Sequence, residues 1–146
     1  RRWARLRGRQ RESVIQDVDI PLPRAREFLL FLEHEIGIRP VWICPLASRD
    51  GEAFALYPLT ANSLYVNFGF WDAVESRQAH EPGHFNRLIE REVIRLGGIK
   101  SLYSDSYYPR DEFDAAYGGA AYAALKARYD PAGRLPSLYD KCVRRR

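Results

Sequence analysis

Two stretches of this chain alternate apolar and polar residues at a period of two, and each gives way to a stretch of helical period that stops at glycine. In VIQDVDI, Val14, Val18 and Ile20 fall on one side and Asp17 and Asp19 on the other, the signature of a half-buried strand closed by Pro21 and Pro23. From Arg24 the period changes: Ala25, Phe28, Leu29, Leu32 and Ile36 mark one helical face, and Gly37 supplies the stop. LYVNFGFW is the strongest strand pattern. It sends Leu64, Val66, Phe68 and Phe70 one way and Tyr65, Asn67, Gly69 and Trp71 the other. Phe85, Leu88, Ile89, Val93 and Leu96 then recur at helical spacing before Gly97 and Gly98.

The segments between these complete a recognisable order. Pro40 to Leu46 reads as a second strand, SRDGEA as a turn, FALYPL as a short strand or the far side of a long loop, and Ile99 to Tyr103 as a last strand. Strand, helix, strand, strand, helix, strand predicts an α+β fold with a ferredoxin-like antiparallel sheet covered by helices on one face. A short helical and irregular C-terminal extension follows, with helices over Phe113 to Tyr117 and Ala120 to Tyr129 split by Gly118 and Gly119. The expected boundaries are a basic tail or linker at 1–12, the sheet domain at 13–104 and the extension at 105–146. With 146 residues the chain is long enough for a single core.

The net charge of +4 resides in the ends. Arg1, Arg2, Arg5, Arg7, Arg9 and Arg11 open the chain and Arg144, Arg145 and Arg146 close it, while the span from Glu12 to Val143 holds 14 basic and 19 acidic residues. Solvated tails account for such runs, and nucleic acid is not the expected partner. No run reaches the ~18 apolar residues of a membrane span, so the expected address is cytoplasmic. The chain has no methionine and begins Arg-Arg, from which a missing N-terminal part is expected. Cys44 and Cys142 lie 98 positions apart with no CxxC pattern and are expected as free thiols, Cys44 buried and inert in its apolar strand.

Several motifs invite chemistry. His80-Glu81-Pro82-Gly83-His84 fits HExxH, but Pro-Gly places His80 before a helix and His84 inside it, so a shared zinc ion is not expected. The aromatics of LYVNFGFW would suit base stacking only on an exposed basic sheet face, which an acidic body does not offer. No phosphate-cradling glycine loop is present. GGIKSLYSDSYY is richer. Lys100 can decorate a sheet edge, or, with Tyr103, Asp105, Tyr107 and Tyr108 beside it, hydrogen-bond a cofactor carbonyl or stabilise developing negative charge. Tyr103, Tyr107, Tyr108 and Tyr117 each bring an apolar ring and a hydroxyl that seeks a partner, as pocket walls do.

In order, VIQDVDIPL, VWICPL, LYVNFGFW, GGIKSLYSDSYY with its acidic-aromatic helix, and LPSLYDKCV resemble the C-terminal portion of the diminuto-type sterol side-chain reductases, which belong to the vanillyl-alcohol-oxidase-like flavoproteins. The resemblance covers most of residues 13–143, and KARYDPAGRL resembles a lysine-x-x-x-Asp-Pro-x-Gly pattern of the wider superfamily. It implies an FAD-dependent oxidoreductase whose N-terminal domain, absent here, holds most of the FAD while the present domain forms the substrate side of the flavin ring. Residues 105–146 would return to that FAD domain. In such reductases hydride passes from NADPH to FAD and on to a side-chain double bond; relatives oxidise alcohols and pass electrons to oxygen.

On this resemblance Lys100 and Tyr107 are the expected catalytic residues, Lys100, Lys126 and Arg128 the cofactor contacts, and Tyr103, Asp105, Tyr107 and Tyr108 the walls of a pocket for a small apolar or hydroxylated substrate. Alone, the chain would be inactive. The alternatives are a free-standing ferredoxin-like binding module using its basic tails for nucleic acid or an acidic partner, and an aromatic strand that pairs two copies into a dimer.

Overall fold

The computed structural model describes residues 10–47 and 54–145. The basic residues Arg1, Arg2, Arg5, Arg7, Arg9 and Arg146, and the SRDGEA turn, lie outside the described residues.

Strand β1 spans Gln10–Pro21, β2 Trp42–Ala47, β3 Leu64–Ser76 and β4 Ile99–Lys100, arranged β2-β3-β1-β4 with every neighbour antiparallel. This is the ferredoxin-like order. Helix α1, Ala25–Phe31, continues into a wider π turn at Leu32–Ile36, which Gly37 ends at φ 76° with its N–H donating to the Leu32 carbonyl at 2.8 Å. Helix α2 spans His84–Arg95. Its first turn takes an N-cap from another element: the Asn86 backbone N–H donates to Glu12 Oε1 at 2.9 Å.

One face of the sheet is closed. Val14, Val18 and Ile20 of β1 and Val66, Phe68 and Phe70 of β3 pack against Phe28, Leu32 and Ile36 from the first helical segment and Ile89, Val93 and Leu96 from the second. Phe28 is the hub, its ring 5.1 Å from that of Phe68 and 6.4 Å from that of Phe70.

A second cluster lies beyond β4. Helix α3, Arg110–Ala116, and helix α4, Gly119–Tyr129, follow a loop, and a π turn at Asp140–Arg144 ends the fold. Tyr108, Phe113, Tyr117 and Tyr139 pack around Ile99, with Tyr57 and Leu59 at the margin. Two of the three hydroxyls are satisfied by the backbone: Tyr117 donates to the Lys100 carbonyl at 2.7 Å and Tyr139 to the Tyr108 carbonyl at 3.2 Å. Helix α4 stands apart, since none of its residues is buried although the helix is mostly alanine, tyrosine and leucine.

The structure departs from the sequence reading in three places and settles a fourth. Gln10 to Glu12, assigned to the tail, are strand, because β3 runs on to Ser76 and offers them partners. β4 ends at Lys100 rather than Tyr103; the Ser101 N–H still donates to the Asp17 carbonyl at 2.9 Å, after which the chain turns. FALYPL follows the loop alternative and not the strand, with a turn closed by the Tyr57 N–H on the Phe54 carbonyl at 3.2 Å. Cys44 is exposed, because β2 is an edge strand that no described residue covers on this side of the sheet; the second cluster closes the same side only at the β4 end, where Ile99 lies opposite Asp19.

Truncating the hub tests the layer assignment. Phe28→Ala should lower the unfolding free energy by roughly 3–5 kcal/mol in urea denaturation, and a loss under about 1 kcal/mol would mean that this ring is not part of a close-packed core.

Candidate functional site

Register decides which residues share the sheet's open face. Asp17 lies opposite Gly69 and Gly69 opposite Trp42; one row along, Asp19 lies opposite Asn67 and Asn67 opposite Cys44; on the other side Ile15 lies opposite Trp71. Paired antiparallel residues point to the same face, so these rows form one surface. Trp42 and Trp71 are each 61% exposed.

Gly69 is buried beneath a side chain of that surface. A Cβ there would stand 2.4 Å from Asp17 Oδ1 and 3.4 Å from the Trp42 Cβ, so the missing side chain is what allows the Asp17 carboxylate to lie across β3. The other carboxylate oxygen, Oδ2, accepts the Tyr103 hydroxyl at 2.7 Å, which pins a ring that remains 63% exposed. Partial burial of that hydroxyl and the neighbouring carboxylate push its pKa up to about 12, so the phenol stays neutral. Asp19 is buried. It accepts the Tyr57 hydroxyl at 2.6 Å and the Asn67 side-chain amide at 2.8 Å, and burial, then Asp19, hold the Tyr57 phenol far above its ordinary value. Among the described residues neither carboxylate has an ion-pair partner.

Lys100 sits elsewhere. Opposite Val18 in the register, it points to the helix-covered side, fully buried, with its ammonium donating to Glu90 Oε1 at 2.8 Å, the Asp105 carbonyl at 2.5 Å and Ser106 Oγ at 3.1 Å. Glu90 also accepts the Tyr107 N–H. Burial pushes the Glu90 carboxyl up and the Lys100 ammonium down, and each opposes that shift in the other. The pair ties helix α2 to β4 and the loop that follows it.

The other sequence-predicted residues scatter around this tie. Tyr107 backs Gly83, whose Cβ would stand 2.3 Å from its ring, and lies between the guanidinium groups of Arg87 and Arg145. Asp105 pairs with Arg145 at 2.9 Å, and Tyr108 is buried in the second cluster. Lys126 pairs with Asp130 and donates to the Leu135 carbonyl at 2.6 Å. Asp130 in turn accepts the Arg134 and Leu135 N–H groups at 2.8 and 2.9 Å, so the Lys-x-x-x-Asp-Pro-x-Gly pattern is a self-contained turn. Arg128 stacks on the exposed ring of Tyr129. Only Tyr103 of the expected pocket residues reaches the open face.

His80 and His84 lie closer than the Pro-Gly argument implies, with rings stacked at 4.0 Å and His80 Nε2 2.9 Å from Ser76 Oγ. Among the described residues no group of three or more His, Cys, Asp or Glu side chains is placed to hold a metal ion, and no helix is long and apolar enough to cross a membrane.

On the exposed part of this face Asp17 and Asn67 stand with the rings of Trp42, Trp71 and Tyr103, while Asp19 and Gly69 are buried. The chain is similar to the delta(24)-sterol reductases. It is 29% identical to the Homo sapiens enzyme over 136 residues, 90% of this chain, and 25% identical to the delta(24)-sterol reductase homolog of Caenorhabditis elegans over 134 residues, 92% of this chain. The Arabidopsis thaliana delta(24)-sterol reductase is 22% identical over 144 residues, 88% of this chain. In each case the match covers about a quarter of the relative, 25%, 25% and 26% of its length. No family model matches the chain. No solved structure matches it either.

Two measurements test the roles of the lysines. Lys100→Met strands a buried carboxylate and should cost roughly 3–5 kcal/mol of stability in chemical denaturation, most of it recovered by adding Glu90→Gln; a near-neutral single variant would refute the buried pair. Asp130 is held down to about 2, largely by Lys126 and then by the Leu135 and Arg134 N–H groups, against an ordinary 3.8. A depressed folded pKa means that its contribution is complete above the ordinary value and is lost as pH falls through about 2. Amide exchange at Arg134 and Leu135 should therefore accelerate selectively across that acid range, and uniform exchange would contradict the turn.

Proposed function

We propose that this chain supplies the substrate side of a flavin-dependent oxidoreductase, with the open sheet face covering a substrate laid against a flavin that another part of the protein holds. The observation that carries the reading is the exposed part of this face: three exposed rings from Trp42, Trp71 and Tyr103 around the Asp17 carboxylate, which Tyr103 fixes, with Asn67 bonded to the buried Asp19 beside them. Such a surface, apolar in area with a few fixed polar points, is what a ligand site requires. Similarity to delta(24)-sterol reductases across about nine-tenths of the chain favours reduction of a carbon–carbon double bond, sterol-like in its apolar surroundings, over oxidation of an alcohol.

The residues fit the ring side of FAD and not its phosphates, for which the sequence has no glycine loop. When bound, the flavin supplies hydride. The chain orients and encloses: Trp42, Trp71 and Ile15 exclude water, and Asp17 holds the Tyr103 ring at a fixed angle. Lys100 acts at a distance in this reading, as a positioning residue that holds the Asp105–Tyr107 loop through its ammonium and Glu90. Helix α4, apolar and without a buried residue, supports a second proposal, that the extension docks on the flavin-holding part, with Arg128 at that contact.

Titrating this chain with FAD should give no tight stoichiometric binding, and a flavin-loaded yellow product would overturn the division of labour. In the longer flavin-containing protein, Gly69→Leu should slow reoxidation of the reduced flavin by the alkene at least about tenfold without changing flavin content; an unchanged half-reaction would remove this face from the site.

A further inference from the structure

The open face has a charge character that the proposed reaction does not use. Asp17 Oδ1 lies over Gly69, and no hydrogen bond reaches it among the described residues, since Tyr103 donates to Oδ2. Asp19, one row away and buried, is satisfied by the neutral donors Tyr57 and Asn67 and has no ion-pair partner among the described residues. Along β1 the nearest cationic residue of the same face is Arg11, opposite Glu75 and six positions from Asp17, roughly 20 Å along the strand. Around this negative centre stand the exposed rings of Trp42, Trp71 and Tyr103, whose faces attract positive charge. Carboxylate and rings complement the same ligand, and they repel an anion.

We propose that the surface above the Asp17 carboxylate, flanked by Trp42, Trp71 and Tyr103, binds an organic cation, a tertiary or quaternary ammonium whose apolar substituents lie along Ile15 and Trp71. A quaternary ammonium needs no hydrogen-bond acceptor, and it gains from the ring quadrupoles and from the charge of Asp17 together. Gly69 supplies the room for the carboxylate itself: with any larger residue it would be displaced from the strand. The proposal shares with the oxidoreductase reading only the choice of face.

The test uses this chain and two probes of the same shape, choline and its uncharged carbon isostere dimethylbutanol, followed by the indole N–H resonances of Trp42 and Trp71. Choline should shift both resonances saturably, more weakly in high salt, while dimethylbutanol binds at least roughly fivefold more weakly. Asp17→Asn, which keeps the side-chain shape and an acceptor for Tyr103, should abolish the preference. Trp71→Leu, at an exposed position with little bearing on folding, should weaken choline binding with the carboxylate intact. Equal binding of the two probes, or a preference unchanged in both variants, would overturn the cation site and leave the oxidoreductase reading standing. Choline selectivity alongside an unchanged flavin half-reaction in the Gly69→Leu protein would support the site and remove the reading.

Discussion

The twelve-residue pairing of β1 with β3 is the constraint on which the rest of the structure depends. It sets Val18 against Phe68 and Ile20 against Val66 on one side, which gives the helices a continuous apolar floor. By the same register Asp17 meets Gly69 and Asp19 meets Asn67 on the other side. A slip of one residue would exchange the two sets, placing carboxylates under the helices and valines in solvent. Core and candidate site are therefore specified by one pairing, and the burial of the first fixes the geometry of the second.

The second joint is the buried Glu90–Lys100 pair. Two apolar clusters meet near β4, one under the helices and one around Ile99, and the strand between them is only two residues long. Backbone pairing of that length is a weak clamp. The ammonium compensates by gathering the Glu90 carboxylate, the Asp105 carbonyl and Ser106, while Tyr117 takes the Lys100 carbonyl. Burying both charges costs desolvation, so the pair specifies where the loop goes more than it adds stability. The consequence reaches the open face, because this loop carries Tyr103 to Asp17.

The sequence made the fold legible and the site only in part, for a physical reason. Alternation in VIQDVDI and LYVNFGFW and helical spacing after each report burial, and burial is what the sheet and its helices are made from; the same patterns already separated Asp17 and Asp19 from Val14, Val18 and Ile20, and Asn67, Gly69 and Trp71 from Phe68 and Phe70. What alternation cannot state is which polar side of one strand lies beside which polar side of another. That needs the pairing, and with it the two half-lists merge into one face. Lys100 shows the converse: its ionisable neighbours in sequence suggested a pocket, whereas their side chains turn to other partners and the ammonium is buried on Glu90, ten residues earlier, with Ser106 and the Asp105 carbonyl. Cys44 misled for a related reason, since an apolar strand was read as an interior one when it lies at an edge with an uncovered side.

The two uncovered surfaces differ in kind, and the difference bears on what meets them. Helix α4 offers small and apolar residues with no buried member, a surface suited to another polypeptide and uninformative about chemistry. The sheet face offers a Tyr103 ring held by Asp17 beside the exposed rings of Trp42 and Trp71, carboxylates whose donors are all neutral, and a glycine at which any side chain would displace the Asp17 carboxylate. Protein interfaces seldom leave buried carboxylates without a cation, because desolvating them costs more than the contact returns. A covering polypeptide would have to bring that cation or forgo close contact at Asp17. A small ligand can bring it directly, and for that reason the sheet face is read as a binding surface and the helix as a docking one.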